Sequence, residues 1–326
     1  MPLTTTIEAR SPGLDSRAHR LVVTLPTFRR PAHLALTLAS LEAQTFGEPF
    51  AVIVMENDCE GREGLAAAHP FFEDGRLQGM TIAVPERGNC STYNAGWTTA
   101  LREFPGMEFL AVIDDDEIAA PDWAEQLVAT ARSLGTDFVG GPQVPVFEGA
   151  RSERYRRHPV FTPHYDRTGP VPILYSSGNV LIRRRVLEAM PQPFLDPMFN
   201  FLGGGDSDFY SRSRRAGFTF GWCAEARVLE TTPERRTEFS WLHARGLRNG
   251  AISSIIEQRH TTSAGGRLRS LAKSGALLAV SPFRSLRLGL KTRSAVIALY
   301  PMQVAIGRFQ GAFGGANEQY RRPEAN

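Results

Sequence analysis

The chain has 326 residues, 42% hydrophobic and 22% charged, ordinary globular proportions with length for one catalytic domain and an extension. Its three cysteines, Cys59, Cys90 and Cys223, are odd in number and widely spaced, which argues against a disulfide framework or a zinc site and fits a reducing compartment. A net charge of +3 hides an asymmetry: residues 261–326 hold ten Arg/Lys and two Glu, whereas residues 1–260 hold 27 basic and 32 acidic residues. No run of 18 apolar residues offers a membrane span, and Met1 to Arg20 has no apolar core of a secretory signal.

Residues 1–18 are polar, with Pro and Gly, and are expected to form a flexible tail. Arg20–Leu25 then reads as a first buried strand closed by Pro26 and Thr27, with Pro31 suited to the first turn of a helix on which Leu34, Leu38 and Leu41 recur at helical spacing. Phe50–Met55 is a second apolar run ending in Glu56, Asn57 and Asp58, and Met80–Val84 is a third. A helix is expected over Ser91–Arg102.

The fourth run, Phe109–Ile113, enters Asp114, Asp115, Asp116 and Glu117 without a break. Short continuous apolar runs fit strands buried on both faces, as in parallel sheets. Strand alternation would put Asp114 and Asp116 on one side and Asp115 on another. Paired carboxylates there suit Mg²⁺ or Mn²⁺, which prefer oxygen, although an acidic turn ahead of the helix Pro121–Leu134 is the plainer reading. Alternating strands and helices predict an α/β class with a right-handed, mainly parallel sheet. The polar residues Thr27, Glu56 and Asp114–Asp116 recur at strand ends, the ligand-binding edge of such sheets.

From Gly140 to Pro172, six prolines break the chain into loops or short strands, and Arg151–His158 is a basic patch. Tyr175–Ile182 reads as a strand. Phe201–Phe209 carries Gly203, Gly204, Gly205, Asp206 and Asp208 into a short helix that Gly217 would cap. Arg235, Arg245 and Arg248 follow, the last two on one helix face. Between Thr261 and Phe313, eight basic residues and no acidic ones interleave with leucines. That composition suits helices lying on anionic lipid, and equally a basic cap packed on the protein's own surface.

In order along residues 20–250, these motifs resemble the family 2 glycosyltransferases of the GT-A fold. Thr24 to Arg30 and Ser40 to Thr45 resemble that family's opening strand and helix; Ile53 to Asp58 its second strand; Arg87 to Gly96 its third-strand loop and helix. Asp114–Asp116 resembles its DxD motif, Ser177–Asn179 its acceptor-side strand, and Gly203–Phe209 the loop carrying its base. Two residues depart from the pattern: Glu56 stands where Asp is usual, and Gly205 where Glu often precedes the base. No QxxRW sequence of polymerising synthases is present.

The resemblance implies a Rossmann-like GT-A domain over 19–258, with a nucleotide-binding half at 19–140 and an acceptor half at 141–258, and a basic amphipathic helical extension over 259–326. It implies an inverting, metal-dependent, non-processive transfer of one sugar from a nucleotide-sugar donor, expected to be UDP-linked, to a glycan or lipid-linked acceptor. Asp206 would be the base; Asp116 and Asp114 would hold Mn²⁺ or Mg²⁺. Pro26, Thr27, Arg29, Glu56, Arg87, Asn94, Asp114, Asp115, Arg235 and Arg245 would contact the donor. The expected setting is cytoplasmic, against the inner membrane face, with no nucleic-acid partner. Two alternatives remain open on the residues alone: a sugar-phosphate nucleotidyltransferase, for which the loop after the first strand lacks glycine, and a non-catalytic carbohydrate-binding protein of the same fold.

Overall fold

Four mostly apolar runs, two of them carrying one buried threonine (Thr24, Thr81), are the sheet's buried centre, and they organise the first of two compact units. In the computed structural model, residues 5–261 and 263–313 are described. The first unit comprises the chain up to Val144, His164–Asn200 and Gly205–Glu230; the second comprises Pro145–Pro163, Phe201–Gly204 and the chain from Thr231.

The first unit opens with strands β1 (Thr6–Arg10) and β2 (Leu21–Thr27), helix α1 (Pro31–Glu42), β3 (Phe50–Glu56), α2 (Glu63–Glu73), β4 (Gly79–Ala83), α3 (Asn89–Glu103) and β5 (Phe109–Ile113). It continues through β6 (Glu117–Ala119), α4 (Trp123–Leu134), β7 (Phe138–Gly140), β8 (Gln143–Phe147, whose end enters the second unit), β9 (Gly169–Val171), β10 (Asn179–Arg183), α5 (Arg184–Ala189), α6 (Gly205–Arg215), β11 (Phe220–Trp222) and β12 (Val228–Thr232). One nine-stranded sheet runs β1-β4-β3-β2-β5-β10-β7-β11-β9. Its centre, β4-β3-β2-β5, is parallel, as the alternating pattern predicts. Antiparallel β10 pairs with β5 and β7, and antiparallel β1 covers the β4 edge.

Strand order reverses at β2, which has β3 on one side and β5 on the other. The C-terminal ends of β2 and β5 therefore flank the switch point where open α/β sheets form a crevice. Trp123, Leu127, Val128 and Ala131 of α4 join the core formed by Val23, Leu25, Val52, Val54, Ala111 and Ile113.

The expected flexible tail over 1–18 is corrected at Thr6–Arg10, which is strand β1 paired with β4. Exposed and half-buried residues alternate along it, the signature of an edge strand covered on one face only. Helix α2, with Pro70 inside it, also lies outside what the pattern indicates, because the proline obscures the helical period.

The second unit holds α7 (Phe239–Arg259), α8 (Ala264–Thr292), α9 (Ala295–Ala298) and α10 (Tyr300–Ala312). The expected boundary at residue 259 moves to Thr231, since α7 groups with the later helices. Glycines are the reason: a Cβ on Gly250 would come within 2.7 Å of the Arg308 backbone nitrogen, and one on Gly311 within 2.7 Å of Ala251 Cα. Only hydrogen at those positions lets α7 and α10 approach so closely. Arg308 is buried between them, donating to Ser253 at 2.6 Å and to Glu257 at 2.5 Å. Phe161 stacks on Trp241 in this unit's own apolar cluster.

Asn179 at the start of β10 is a buried amide with three partners. Its Oδ1 accepts from Trp123 Nε1 at 2.8 Å, and its Nδ2 donates to the carbonyls of Ala226 at 2.8 Å and Pro142 at 3.2 Å. Asn179→Ala strands all three, and each buried group left unpaired costs about 1–3 kcal/mol. Denaturant unfolding is expected to show a loss of at least ~2 kcal/mol, whereas a midpoint equal to the parent's would show that water replaces these bonds.

Candidate active site

Strand β5 ends at Ile113, and the next four residues are acids crowded into the crevice beside β2. Alternation ends with the strand, and Asp115 and Asp116 converge on one guanidinium. Arg30 Nη1 lies 3.3 Å from Asp115 Oδ1 and 3.0 Å from Asp116 Oδ2. Thr27 Oγ1 donates to Asp115 Oδ2 at 2.9 Å, tying the end of β2 to the acidic turn. Asp114 turns to α3 instead, where its Oδ1 accepts from the buried Tyr93 hydroxyl.

Glu117 is the fourth acid and is fully buried. Its Oε2 accepts from the Asp114 backbone N–H at 2.9 Å and its Oε1 from Gln143 Nε2 at 2.5 Å. Glu230 of β12 stands opposite Glu117 in the strand ladder. Gly178 explains itself here: a Cβ at that position would meet Gln143 Nε2 at 2.5 Å, Glu117 Oε1 at 2.7 Å and Asp114 Oδ2 at 2.8 Å. The backbone of the Ser177–Asn179 motif is thus pressed against the acids.

So much negative charge away from water carries a protonation cost. Burial, then the Asp116 charge, pushes the Asp114 carboxyl up to about 7. Burial raises Asp115 to about 6, with Arg30 opposing the rise. Glu117 is held well above the usual carboxylate range by burial and by Asp114.

Asp206 sits in the first turn of α6, half-buried, with its Oδ1 accepting from the Ser207 N–H at 2.7 Å. The buried Tyr210 phenol is held well above its usual range first by burial, then by Asp206 and by Asp114, so both carboxylates act on one hydroxyl. Tyr210 Oη donates to the Ser176 carbonyl at 2.9 Å, next to the Ser177–Asn179 motif. Asp208 is a different residue, buried and paired with Arg212 at 2.7 Å. Gly205 stands where a side chain would strike Cys90 Sγ, at 2.5 Å, which accounts for the missing glutamate.

Other expected donor contacts divide. Pro26 lies in β2 opposite Met55, at the same strand end as Thr27. Arg29 has a left-handed φ of 56° and pairs with Asp58 at 2.6 Å; its guanidinium and that of Arg87 each lie 5.0 Å from the Phe28 ring centroid. That places two guanidiniums and an aromatic face beside the crevice.

Glu56 and Asn94 have partners within the protein itself. The Glu56 carboxylate is fully buried and accepts from the N–H groups of Asp58, at 2.8 Å, and Gly64, at 2.7 Å, so it closes the loop that starts α2. Asn94 is taken up by the backbone of Leu195, donating to its carbonyl at 2.7 Å and accepting from its N–H at 2.8 Å. Arg235 and Arg245 belong to the second unit, where Arg245 lies over the Trp241 ring at 5.6 Å.

Three residues carry roles the sequence reading does not assign: Arg30, Tyr93 and Glu117. Arg30 was legible only as the residue before a helix-opening proline, and Glu117 as the last letter of an acidic run. Nothing in the spacing marks Tyr93.

Among the described residues, no three His, Cys, Asp or Glu groups converge as a closed metal site. Magnesium-type sites that act on phosphates commonly use one or two carboxylates, with substrate oxygens and water completing the shell. Asp116 and Asp114, oxygen donors within an excess of negative charge, fit that pattern.

Comparison with known proteins identifies the family. The family model for glycosyl transferase family 2 matches residues 22–190, a span that holds the acidic turn and ends before Asp206. The succinoglycan biosynthesis protein ExoM of Rhizobium meliloti (strain 1021) is 33% identical over 253 residues, covering 72% of this chain and 74% of the relative. Among solved structures, the mannosyltransferase PcManGT from Pyrobaculum calidifontis, in complex with GDP-mannose and Mn²⁺, superposes with a TM-score of 0.56 at 16% identity, over 93% of this chain and 91% of that one. The S. aureus TarS fragment 1–349 with UDP gives 0.51 at 13% identity, over 94% and 98%. The structural likenesses speak for the fold, a mixed α/β architecture with a mostly parallel sheet. The family match and the ExoM relation decide between the alternatives left open above: the chain belongs to glycosyl transferase family 2 and is a glycosyltransferase.

Proposed function

We propose that the protein moves a single sugar from a nucleoside-diphosphate sugar, UDP-linked by preference, to a hydroxyl of a glycan or lipid-linked acceptor, with inversion at the anomeric carbon. The observation that supports this most is the acidic turn at the switch point between β2 and β5, where Thr27 and Arg30 hold Asp115 and Asp116 at the sheet's ligand-binding edge. The relation to ExoM favours a place in the assembly of a succinoglycan-like or other cell-envelope polysaccharide.

Asp116 and Asp114 would hold Mn²⁺ or Mg²⁺ with the donor's phosphates; PcManGT was solved with Mn²⁺ and a nucleotide sugar. When bound, that ion supplies neutralisation of the charge growing on the departing diphosphate. Thr27 and Arg30 fix Asp115 and Asp116, so the turn is rigid before the donor arrives. Arg29, Arg87 and the Phe28 ring offer cationic and stacking contacts to the nucleotide. In the transfer, the acceptor oxygen attacks the anomeric carbon as its bond to the phosphate oxygen breaks. The acceptor's proton passes to an Asp206 carboxylate oxygen, and the nucleoside diphosphate leaves.

Nucleoside-diphosphate release across UDP- and GDP-sugars, with and without Mn²⁺, tests the reading as a whole. Asp206→Asn keeps size and hydrogen bonding but accepts no proton at neutral pH. It is expected to bind donor as the parent does while kcat falls by ~10²–10⁴. Turnover within a few-fold of the parent would place the proton acceptor elsewhere.

A pH series isolates the acidic turn. The folded-state value of Asp114, about 7, lies above its ordinary value of 3.8, so the folded protein holds this proton longer than the unfolded chain does. The stabilising contribution is complete below the ordinary value and is lost as pH rises through about 7. With chelator present, the stability of the parent relative to Asp114→Asn is expected to fall by up to about 4 kcal/mol across that window. A difference that stays flat with pH would show that Asp114 is ionised throughout.

A further inference from the structure

Helix α8 carries its polarity inside out. The side chains it buries are Ser270, Ser274, Ser281 and Ser285, spaced to lie on one face. On the opposite face Leu268, Ala272, Ala276, Ala279, Phe283, Leu286 and Leu290 follow one another at steps of three or four residues, and all seven are exposed. The mean step, about 3.7 residues, keeps the stripe on one side of a straight helix over its whole length of roughly 33 Å. Relative exposure is 69% at Leu268, 75% at Phe283, 63% at Leu286 and 74% at Leu290. A helix that packed as a simple cap would turn these residues in and the serines out. An exposed apolar stripe of this size marks a surface with a partner.

Charge selects the partner. Arg269, Arg284, Arg287 and Lys291 are exposed and border the stripe on one side, and the chain from Thr261 to Phe313 has no acidic residue. Lys273 lies on the same border and answers Glu257 of α7 at 3.1 Å. A second copy of the helix would bring the same arginines and no carboxylate to meet them. An anionic bilayer answers both features: the stripe enters the boundary between headgroups and acyl chains, while guanidiniums meet lipid phosphates. Spanning is not the mode, because among the described residues no helix is long and apolar enough to cross a membrane.

We propose that α8 is an interfacial helix that seats the protein on anionic phospholipid through the Leu268–Leu290 stripe and its arginine border. No residue of the acidic turn belongs to α8, and vesicle binding is read without turnover. Of the two readings the extension allows, packing accounts for α10, whose glycines lie against α7, and the lipid surface accounts for α8.

The test is co-sedimentation of the full chain with vesicles of phosphatidylcholine alone and of phosphatidylcholine with phosphatidylglycerol. The parent is expected to pellet with the anionic vesicles and to be released by salt. Phe283→Glu combined with Leu286→Glu alters only exposed positions, so thermal unfolding should match the parent while partitioning falls at least ~10-fold. Arg284→Gln with Arg287→Gln leaves the stripe intact and should lose roughly five-fold for each charge removed. The proposal is overturned if the parent stays in the supernatant, if it partitions equally into both vesicle types, or if the Glu variant still pellets. It is overturned equally if the same substitutions abolish a concentration-dependent dimer and vesicles capture nothing.

Discussion

The constraint on which the first unit turns is the packing of acids into a crevice with little water to solvate them. Asp115 and Glu117 are buried, Asp114 and Asp116 beside them are half-buried, and Glu230 faces Glu117 across a strand pair. Arg30 offsets part of this charge by bridging Asp115 and Asp116. Buried carboxylates without full compensation take up protons or a cation. The upward displacement of Asp114 and Glu117 is the first response, and the proposed divalent ion is the second.

Much of the surrounding architecture follows from holding that arrangement in place. The switch point between β2 and β5 brings Thr27 to Asp115. Tyr93 on α3 and Gln143 on β8 give the acids hydrogen bonds they would otherwise lack. Asn179 ties the neighbouring strand ends to Trp123, and Gly178 lets the backbone approach where any side chain would collide. A rigid acidic turn serves transfer chemistry because its dipoles and charges need not reorganise as the leaving group departs.

The central sheet was legible because its signal is local: four short, mostly apolar runs mark four buried strands whatever the rest of the chain does. The order of motifs, from Thr24 to Asp206, pointed to the family for the same reason. What escaped depends on contacts distant in sequence. Glu56 reads as a strand-end acid facing ligand, but the N–H groups of Asp58 and Gly64 enclose it. Asn94 reads as a helix-face amide, but Leu195 engages both its ends. Strand β1 exists because β4 needs an edge, which its own polar composition does not announce. On α8, composition reveals leucines among arginines; that serines take the inner face emerges only from packing.

The central claim is that the acidic turn is completed by a divalent cation shared with the donor's phosphates. Calorimetric titration of UDP and GDP into the protein, in Mn²⁺ and then in chelator, examines it without any need for the acceptor. The expected result is nucleoside-diphosphate affinity at least tenfold higher in Mn²⁺, about 1.4 kcal/mol or more, with that gain abolished in Asp116→Asn. Equal affinity with and without Mn²⁺, or a gain that survives in Asp116→Asn, would contradict the assignment and leave Arg30, Arg29 and Arg87 as the groups that meet the diphosphate.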